Sequence, residues 1–463
     1  MADAGNVFDV VILGGGSGGY ACAFRAADLG MNVALIEKAE VGGTCLHRGC
    51  IPTKALLHAA EVADHARDSA AVGVKTTFEG IDVPGVQSYK NGVVDRLWKG
   101  LQSTIASRKI DTIEGDGRLE SPASVRVGDT VYEAEHVVLA TGSEPKSLPG
   151  LGIDGERVIT SDQALTLDRV PGSVIILGGG VIGVEFASVW RSFGAEVTIV
   201  EMLPQLVPLE DETSAKLLQR AFRRRGIKFE LGVRFESVKH TDTGVTVTLE
   251  GGKTLDAELL LVAVGRGPVS AGLGYEEAGV AMERGFVTVD SLCQTSLPSV
   301  SAVGDLIQTP QLAHVGFAEG ILVAERVGGI PVNPIDYDGV PRITYSDPEV
   351  ASVGLTSAQA AERGLKTVEF NYNLGGNGRS VILQTQGAAK VIAISEENGP
   401  GRVIGIHIVG SRVGELIAEA QLIYNWDAEP SDVAQLIHPH PTQSEAIGEA
   451  HLALAGKPLH VHA

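Results

Sequence analysis

Short apolar runs alternate with amphipathic stretches along the first two thirds of the chain, and glycines separate them. The runs at 8–13 and 174–177 are almost continuously apolar, which is typical of parallel strands buried on both faces. Each run is followed by a Gly-x-Gly-x-x-Gly segment, an amphipathic stretch and a second apolar run ending in glutamate. This pattern predicts two strand–helix–strand units, and therefore an α/β protein with two Rossmann-like folds.

The glycines of the two segments suit dinucleotide binding. The first glycine permits a tight turn, the second lets the backbone approach a pyrophosphate, and the third lets the helix pack against the strand. The helix N-terminus adds N–H groups and positive potential for that anion. The terminal glutamates suit hydrogen bonds to a ribose diol. Because the whole context occurs twice, two purely structural glycine turns are disfavoured. The matching residues are Gly14, Gly16, Gly19 and Glu37, and then Gly178, Gly180, Gly183 and Glu201.

Further strand-like runs at 136–143, 259–268 and 300–306 suggest how the domains close. A strand at 300–306 that returns to the first fold would place Asp305 at the carboxyl ends of the strands, where open α/β sheets bind ligands. We expect a first dinucleotide-binding domain at 1–148, a second at 149–270, a return segment at 271–338 that completes the first domain, and a C-terminal domain at 339–463.

The last part of the chain has a different character. It contains the β-like stretches KTVEFNY, AAKVIAIS and RVIGIHIVG, then the helical stretch GELIAEAQLIYNW. With no nucleotide fingerprint, it is expected to be an α+β domain and a candidate for dimerisation.

Composition narrows the class of partner and the compartment. The chain has 463 residues, 44% of them hydrophobic, and a net charge of −20, which argues against nucleic acid or an anionic membrane as its main partner. The start has no basic region before its apolar run, and no apolar run is long enough to span a membrane. We therefore expect a cytoplasmic enzyme.

Two of the four cysteines lie in GGTCLHRGCIPTK, at Cys45 and Cys50. Zinc would need two further soft ligands at suitable spacing, and a structural bridge over so short a loop would restrain little. Both are disfavoured against a disulfide that opens and closes in each cycle, because strain in such a bridge eases its reduction. Lys54, which alone would be an ordinary surface lysine, could lower the pKa of a neighbouring thiolate.

A second reactive cluster, HPHPTQSEA, lies near the other end of the chain. A base helps to form a thiolate near neutral pH, and a glutamate bonded to an imidazole fixes its tautomer. His440 and Glu445 fit those two roles, whereas without the cysteines His438 and His440 would be interpreted as structural or exposed. The cysteines and His440 would have to meet by folding or across a dimer interface.

These motifs together resemble the flavoprotein disulfide reductases of the glutathione-reductase fold, and most of all their dihydrolipoyl dehydrogenase members. GGTCLHRGCIPTKALL is similar to the redox-active motif, GGGVIGVEFA to the NAD fold, and SAVGDL with QLAHVGFAEG to the second flavin motif. ITYSDPEVASVGLT and HPHPTQSEA are similar to the interface domain. The likeness covers almost the whole chain, although VGRGPV and HVGFAEG depart from the usual forms of those motifs.

The resemblance implies roles for individual residues. Cys45 would exchange with substrate, and Cys50 would lie next to the flavin. His440, supported by Glu445, would be the base that acts on the partner subunit's disulfide, and the His440–Pro441 bond would be cis. Lys54 would lie near the flavin and pair with Glu185. FAD would also be held by Gly14, Gly16, Gly19, Glu37, Gly117, Thr141, Gly142, Asp305 and Ala313. NAD would be held by Gly178, Gly180, Gly183, Glu201, Val238 and Gly265.

The implied activity is oxidation of protein-bound dihydrolipoamide with reduction of NAD⁺. Expected partners are a second copy of the chain and lipoyl-bearing proteins, either acyltransferase subunits of 2-oxoacid dehydrogenases or the glycine cleavage carrier protein. Glu201, without the arginines of NADP-dependent members, favours NAD. Mycothiol disulfide reductase is the alternative enzyme. A non-catalytic flavoprotein assembly subunit is disfavoured because it would need none of the redox residues.

Overall fold

The computed structural model describes residues 6–461, which form two compact units. The first unit takes in the chain up to Leu56, then Asp82–Lys146 and Gly265–Tyr337. The second takes in Leu57–Ile81, Ser147–Val264 and the chain from Asp338 onward. Each unit contains a sheet whose central strands are parallel, as the repeated pattern of apolar runs predicts.

The first unit has a seven-stranded sheet whose central strand is Val7–Leu13. Val7–Leu13 pairs in parallel with Val33–Glu37 on one side and Thr130–Leu139 on the other, and Val300–Ala302 also pairs in parallel with Thr130–Leu139. The short strand Val300–Ala302 thus returns to the first sheet. The other strands of this sheet are Asp111–Glu114, Gly117–Ser121 and Ser124–Val127.

Helices and small strand pairs complete the first unit. The helices are Ser17–Asp28, Gly43–Arg48, Val83–Ser107 and Ala313–Val327, with a 3-10 turn at Gly304–Leu306 and the start of Cys50–Asp68. The strand pairs are Ser143–Pro145 with Arg266–Pro268 and Met282–Glu283 with Phe286–Val287.

The second unit contains a five-stranded parallel sheet centred on Ser173–Leu177. Its other strands are Glu196–Glu201, Lys228–Leu231, Leu259–Val262 and Val158–Ile159. An antiparallel meander of Phe235–His240, Val245–Leu249 and Thr254–Ala257 is inserted before Leu259–Val262. The helical segments of this region are Ser69–Val72, Ser161–Ala164, Val181–Phe193 and Glu212–Arg224.

The C-terminal part of the second unit is an α+β domain. Its antiparallel sheet runs Arg342–Thr344, Glu349–Gly354, Gly399–Gly410, Ala388–Glu396 and Thr367–Asn373 in spatial order. The β-like stretches and the helix expected near the end of the chain are present, the helix as Val413–Asn425. The other helical segments are Ser357–Glu362, Leu374–Gly376, Gly378–Ile382, Pro430–Val433 and Glu445–Leu454.

Buried aliphatic side chains explain why these strands lie where they do. Val11 and Ile12 in the first sheet and Ile176 in the second are completely buried, as the continuous apolar runs predict. A separate core of Ile406, Ile408 and their neighbours lies beneath the C-terminal helices. The predicted fold class, two Rossmann-like folds and a C-terminal α+β domain, is confirmed. Among the described residues, no helix has both the length and the apolar character needed to cross a membrane.

Candidate functional site

The first glycine loop, Gly14–Gly19, joins the strand Val7–Leu13 to the helix Ser17–Asp28. Gly14 has φ +109, and a Cβ there would lie 2.2 Å from the Ala140 carbonyl oxygen. A Cβ at Gly19 would lie 1.8 Å from the Gly14 oxygen, whereas one at Gly16 would meet no described atom within 4 Å. The two outer glycines are therefore required by close backbone contacts, and the middle one faces open space.

The start of the helix Ser17–Asp28 is suited to an anion. Gly16 is its N-cap residue, and no side chain among residues 6–461 caps it. Its first N–H groups and the positive end of its dipole can therefore receive a phosphate that approaches over Gly16.

Glu37 ends the second strand of the first sheet and holds the glycine loop. Its Oε2 accepts a hydrogen bond from the Gly15 N–H at 2.7 Å, and its Oε1 accepts one from Ala39 at 3.0 Å. An ionised carboxylate offers about four acceptor positions, so two remain for the ribose hydroxyls that the sequence predicts. The backbone contacts were not foreseen from the sequence.

The second glycine loop, Gly178–Gly183, repeats this construction. Gly178 has φ +103 and a Cβ there would lie 2.3 Å from the Ala263 oxygen, while one at Gly183 would lie 1.9 Å from the Gly178 oxygen. Gly180 again faces space without a described atom within 4 Å. Both loops fit the pyrophosphate of a dinucleotide.

Glu201 accepts a hydrogen bond from the second glycine loop, as Glu37 does from the first. Its Oε2 accepts from the Gly179 N–H at 2.7 Å and its Oε1 from Leu203 at 2.8 Å. Val238 lies on the meander strand Phe235–His240, opposite Val247 and against the buried core of the second sheet. Gly265, with φ +110, falls in the first unit, where its carbonyl accepts from Lys146 at 2.9 Å.

Asp305 lies in the turn that follows the returning strand Val300–Ala302. Ser143 Oγ donates to its Oδ2 at 2.5 Å, and Arg266 Nε donates to Ser143 Oγ at 2.7 Å. A second Arg266 nitrogen donates to the Ser143 carbonyl at 2.6 Å. This chain of hydrogen bonds fixes the carboxylate at the edge where a ligand would lie. Neither Ser143 nor Arg266 carried a sequence signal beyond its position after a strand.

The other predicted flavin contacts lie in the same unit. Thr141 Oγ1 donates to the Val269 carbonyl at 2.6 Å, and the Gly142 carbonyl accepts from the Val269 N–H at 2.9 Å. A Cβ at Gly117 would lie 2.4 Å from Leu13 Cδ1, so this glycine is needed for packing against the first strand. Ala313 begins the helix Ala313–Val327.

Cys45 and Cys50 lie on two successive helices, Gly43–Arg48 and Cys50–Asp68, with Gly49 between them. Both are thiols and they are hydrogen-bonded to each other. The pKa of the Cys45 thiol is raised, first by that hydrogen bond and then by burial, while the Lys54 ammonium acts in the opposite direction. Lys54 lies one helical turn beyond Cys50, which suits this electrostatic role.

The redox segment, residues 42–54, passes directly against the first glycine loop. The Gly42 N–H donates to the Gly15 carbonyl at 2.8 Å, and a Cβ at Gly43 would lie 2.7 Å from the Gly16 Cα. Burial, and then the charges of Cys45 and Cys50, raise the pKa of Tyr20, in the helix after that loop, to about 12. Tyr20 is a neighbour of the cysteine pair that sequence reasoning missed.

His440 and Glu445 form the pair that the sequence predicts. His440 Nδ1 lies 2.8 Å from Glu445 Oε1, and Glu445 Oε2 accepts from the Thr442 N–H at 2.8 Å. Burial opposes ionisation of Glu445, but these hydrogen bonds and the charge of His440 bring its pKa below the usual value. The His440 side chain is 76% exposed, so its Nε2 is open to a substrate, and the His440–Pro441 bond is cis.

Two other predicted residues have different surroundings. His438 Nε2 lies 2.7 Å from Glu419, a hydrogen bond that raises the pKa of His438, and its ring packs against Gly448. Glu185 is buried and accepts from the Tyr345 N–H at 2.9 Å. Lys54 and Glu185 fall in different units, as do the cysteines and His440, so their predicted meetings stay predictions.

Comparison with known proteins is consistent with this geometry. Residues 8–320 match the family model of the pyridine nucleotide-disulphide oxidoreductases, and residues 340–451 match the dimerisation domain of the same family. The second match supports a homodimer.

Relatives match over nearly the whole chain. A dihydrolipoyl dehydrogenase of Bacillus subtilis is 40% identical over 98% of this chain and 99% of its own length. The mitochondrial dihydrolipoyl dehydrogenase of Pisum sativum is 38% identical over 98% of this chain and 92% of its own length.

Solved structures have the same fold. LpdA of Mycobacterium tuberculosis superposes with a TM-score of 0.89 at 28% identity, covering 96% of this chain and 99% of its own. The flavoprotein disulfide reductase RclA of Escherichia coli gives a TM-score of 0.86 at 30% identity, with the same coverage of 96% and 99%. The chain therefore belongs to the pyridine nucleotide-disulphide oxidoreductase family, among its FAD- and NAD-dependent dihydrolipoyl dehydrogenases.

Proposed function

We propose that this chain oxidises protein-bound dihydrolipoamide to lipoamide and reduces NAD⁺ to NADH through a Cys45–Cys50 disulfide that opens and closes. The observation that carries this proposal is the thiol pair lying against the first glycine loop, with Gly43 packed on Gly16. A dithiol beside a dinucleotide-binding turn is suited to pass electrons to a flavin held there.

The thiol chemistry assigns one task to each reactive residue. His440 Nε2 takes the proton of one dihydrolipoamide thiol, and Glu445 stabilises the resulting imidazolium through Nδ1. The substrate thiolate attacks Cys45 of the oxidised enzyme, the disulfide breaks, and Cys50 leaves as a thiolate. The second substrate thiol then attacks the mixed disulfide, so that lipoamide closes and Cys45 is released as a thiol.

Each cofactor would be held by one of the glycine loops. A bound FAD would supply an acceptor for the electron pair of the dithiol and a hydride donor for NAD⁺. The FAD residues would be Gly14, Gly16, Gly19, Glu37, Lys54, Gly117, Thr141, Gly142, Asp305 and Ala313. The NAD residues would be Gly178, Gly180, Gly183, Glu201, Val238 and Gly265. Lys54 would pair with Glu185.

The proposal includes the domain boundaries and the partners. We expect four segments: an FAD domain at 1–148, an NAD domain at 149–270, a return segment at 271–338 that completes the FAD domain, and an interface domain at 339–463. His440 would act on the disulfide of the partner subunit. Lipoyl-bearing acyltransferase subunits of 2-oxoacid dehydrogenases, or the glycine cleavage carrier protein, would bring the substrate. A cytoplasmic location suits a cysteine pair that must return to the thiol state.

Steady-state kinetics of the FAD-loaded protein test this function. We expect NAD⁺ reduction by dihydrolipoamide that far exceeds the reduction of mycothiol or glutathione disulfide by NADH or NADPH. Cys50→Ser should abolish lipoamide turnover, whereas Cys22→Ala, at a buried cysteine in the helix Ser17–Asp28, should leave it unchanged. Faster turnover of either disulfide than of dihydrolipoamide would contradict the proposal.

A further inference from the structure

The helix Glu445–Leu454 carries a second histidine–carboxylate pair one turn beyond the first. Glu449 Oε1 lies 2.7 Å from His460 Nδ1, and Glu449 Oε2 accepts from the His460 N–H at 3.2 Å. Glu445 makes the same two kinds of contact, with His440 Nδ1 and with the Thr442 N–H. Because residues four apart lie on one helix face, the two pairs are neighbours.

The second pair is built into the domain. The Glu449 side chain is only 7% exposed, and the next residue of the tail, Val461, packs against the core beneath the helix. The His460 side chain is 63% exposed. Tyr372, from the neighbouring strand, is buried near both glutamates. Burial and then the charges of Glu449 and Glu445 raise its pKa.

We propose that His460 is a positioning residue for the proton transfer: with Glu449 it sets the electrostatic field at His440–Glu445, and hence the pH range in which His440 works as a base. This inference rests on the proposed role of His440. It assigns a function to the C-terminal segment, which the thiol chemistry does not otherwise use.

The direction of the effect follows from the charges. A protonated His460 favours the ionised form of Glu445 and disfavours a second cation at His440. If His460 is removed, Glu449 keeps its negative charge without a partner, and the imidazolium of His440 becomes easier to form. The two glutamates lie one helical turn apart, and the rings of His440 and His460 are both exposed to water, so the expected change is about 0.5 pH unit.

Other charged groups around this helix already have partners. His438 is bonded to Glu419 on the helix Val413–Asn425, and Lys390 on the strand Ala388–Glu396 is paired with Asp211 and Glu369. At the helix Pro430–Val433, the carboxylates of Glu429 and Asp432 accept backbone N–H groups in a capping box. His451, on the same helix, is buried, and its pKa is lowered to about 4. Besides His440 itself, His460 is therefore the exposed histidine whose charge acts on Glu445.

The pH profile of kcat/KM for dihydrolipoamide, measured with the FAD-loaded enzyme, tests the inference. His460→Gln should move the acidic limb upward by about 0.5 pH unit. His460→Lys, which keeps a cation at this position, should leave the limb at the wild-type pH or move it below. In 1 M salt the difference between the two variants should shrink, because exposed charges are screened.

The controls separate this inference from a structural role and from the proposed function. Glu449→Gln/His460→Gln, which removes both charges, should return the limb toward the wild-type value. If His460→Gln and His460→Lys both show the acidic limb of the wild-type pH profile and differ from the wild type only in thermal stability, the inference is overturned and the proposed function stays intact. A wild-type enzyme without dihydrolipoamide activity would overturn the proposed function instead.

Discussion

The two glycine loops share one backbone design but are followed by different chemistry. In both, a backbone N–H from a later segment donates to the loop at 2.8 Å, from Gly42 to Gly15 in the first and from Val207 to Gly179 in the second. In the first loop that segment continues into Cys45 and Cys50. In the second it is an apolar cover, with Leu206 and Val207 both buried.

This difference shows what each loop requires of the sequence. Gly42 has φ +119, which glycine adopts freely, whereas Val207 has φ +44, a strained value for a β-branched residue. Burial of Val207 offsets that strain at the second loop. At the first loop a glycine lets the chain turn so that the redox helices begin beside Gly16. The common design holds a pyrophosphate, and the following segment decides whether a reactive group stands beside it.

The largest expected effect is destabilisation of each Rossmann-like fold when the third glycine of its loop is replaced. In Gly19→Ala and in Gly183→Ala the new methyl group would lie within 2 Å of a carbonyl oxygen. We expect each change to cost more than about 3 kcal/mol, because the helix must move away from the strand. Thermal unfolding, followed by flavin release for Gly19→Ala and by tryptophan fluorescence for Gly183→Ala, measures it. Wild-type stability in either variant would show that the two loops are not equivalent.

The next effect is a loss of stability in acid that comes from a histidine in the first sheet, at a position where the second sheet has leucine. His136, on the strand Thr130–Leu139, is buried and bonded to Ser301 Oγ at 2.9 Å, and burial lowers its pKa to about 4. In the unfolded chain His136 would bind a proton near pH 6.5, so the free energy of unfolding does not depend on this group above that pH. Between pH 6.5 and pH 4 the free energy of unfolding should fall by about 3 kcal/mol.

The variant His136→Leu tests whether His136 causes this loss of stability in acid. Leucine is chosen because Leu259 occupies the equivalent position in the second fold, opposite Val174 as His136 is opposite Val10. Urea unfolding followed by flavin release at pH 7 and pH 4.5 should show a smaller loss of stability for the variant than for the wild type. Equal losses would mean that His136 is not the source. His451 of the second unit, whose pKa is also about 4, should sustain the acid response there.

The middle glycines should affect cofactors and leave the folds intact. A methyl group in Gly16→Ala or Gly180→Ala meets no described atom within 4 Å, but it occupies the space through which a pyrophosphate approaches. We expect Gly16→Ala to weaken FAD binding about tenfold, about 1.4 kcal/mol, and Gly180→Ala to raise the KM for NAD⁺ similarly with full flavin content. Flavin content and NAD⁺ kinetics check this. Reversed assignments would exchange the two cofactor sites.

The smallest effect concerns the glutamates that hold the loops. Glu201 is 7% exposed, whereas Glu37 is only partly buried. Each accepts two backbone hydrogen bonds, and an amide side chain can accept at only one of its two terminal atoms. Glu201→Gln should therefore cost about 1 kcal/mol more than Glu37→Gln, because it leaves a donor buried. Urea unfolding of both variants measures this, and equal costs would show that burial does not distinguish them.

The repeat units were predictable because backbone contacts dictate their glycines. The runs at 8–13 and 174–177 became the central strands Val7–Leu13 and Ser173–Leu177. The His440–Glu445 hydrogen bond was also predictable, since five residues around a proline keep the two side chains within reach. These features depend on residues that are close together in the sequence, so a single sequence is enough to predict them.

Other features depend on long-range contacts that a single sequence does not encode. The link from Arg266 through Ser143 to Asp305 joins three distant segments. The break at Gly49 puts Cys45 and Cys50 on separate helices, which the sequence pattern did not indicate. His460 meets Glu449 only because the tail folds back onto the C-terminal helix.

The most direct test of the cycling disulfide is to count alkylated cysteines by mass spectrometry in the FAD-loaded enzyme. After anaerobic addition of one equivalent of dihydrolipoamide, we predict that the alkylating reagent labels Cys45 and Cys50. If excess NAD⁺ is added before the reagent, we predict that neither cysteine is labelled. Cys22 and Cys293, which are buried, should stay unlabelled throughout. Labelling of Cys45 and Cys50 that does not respond to dihydrolipoamide or to NAD⁺ would contradict the account.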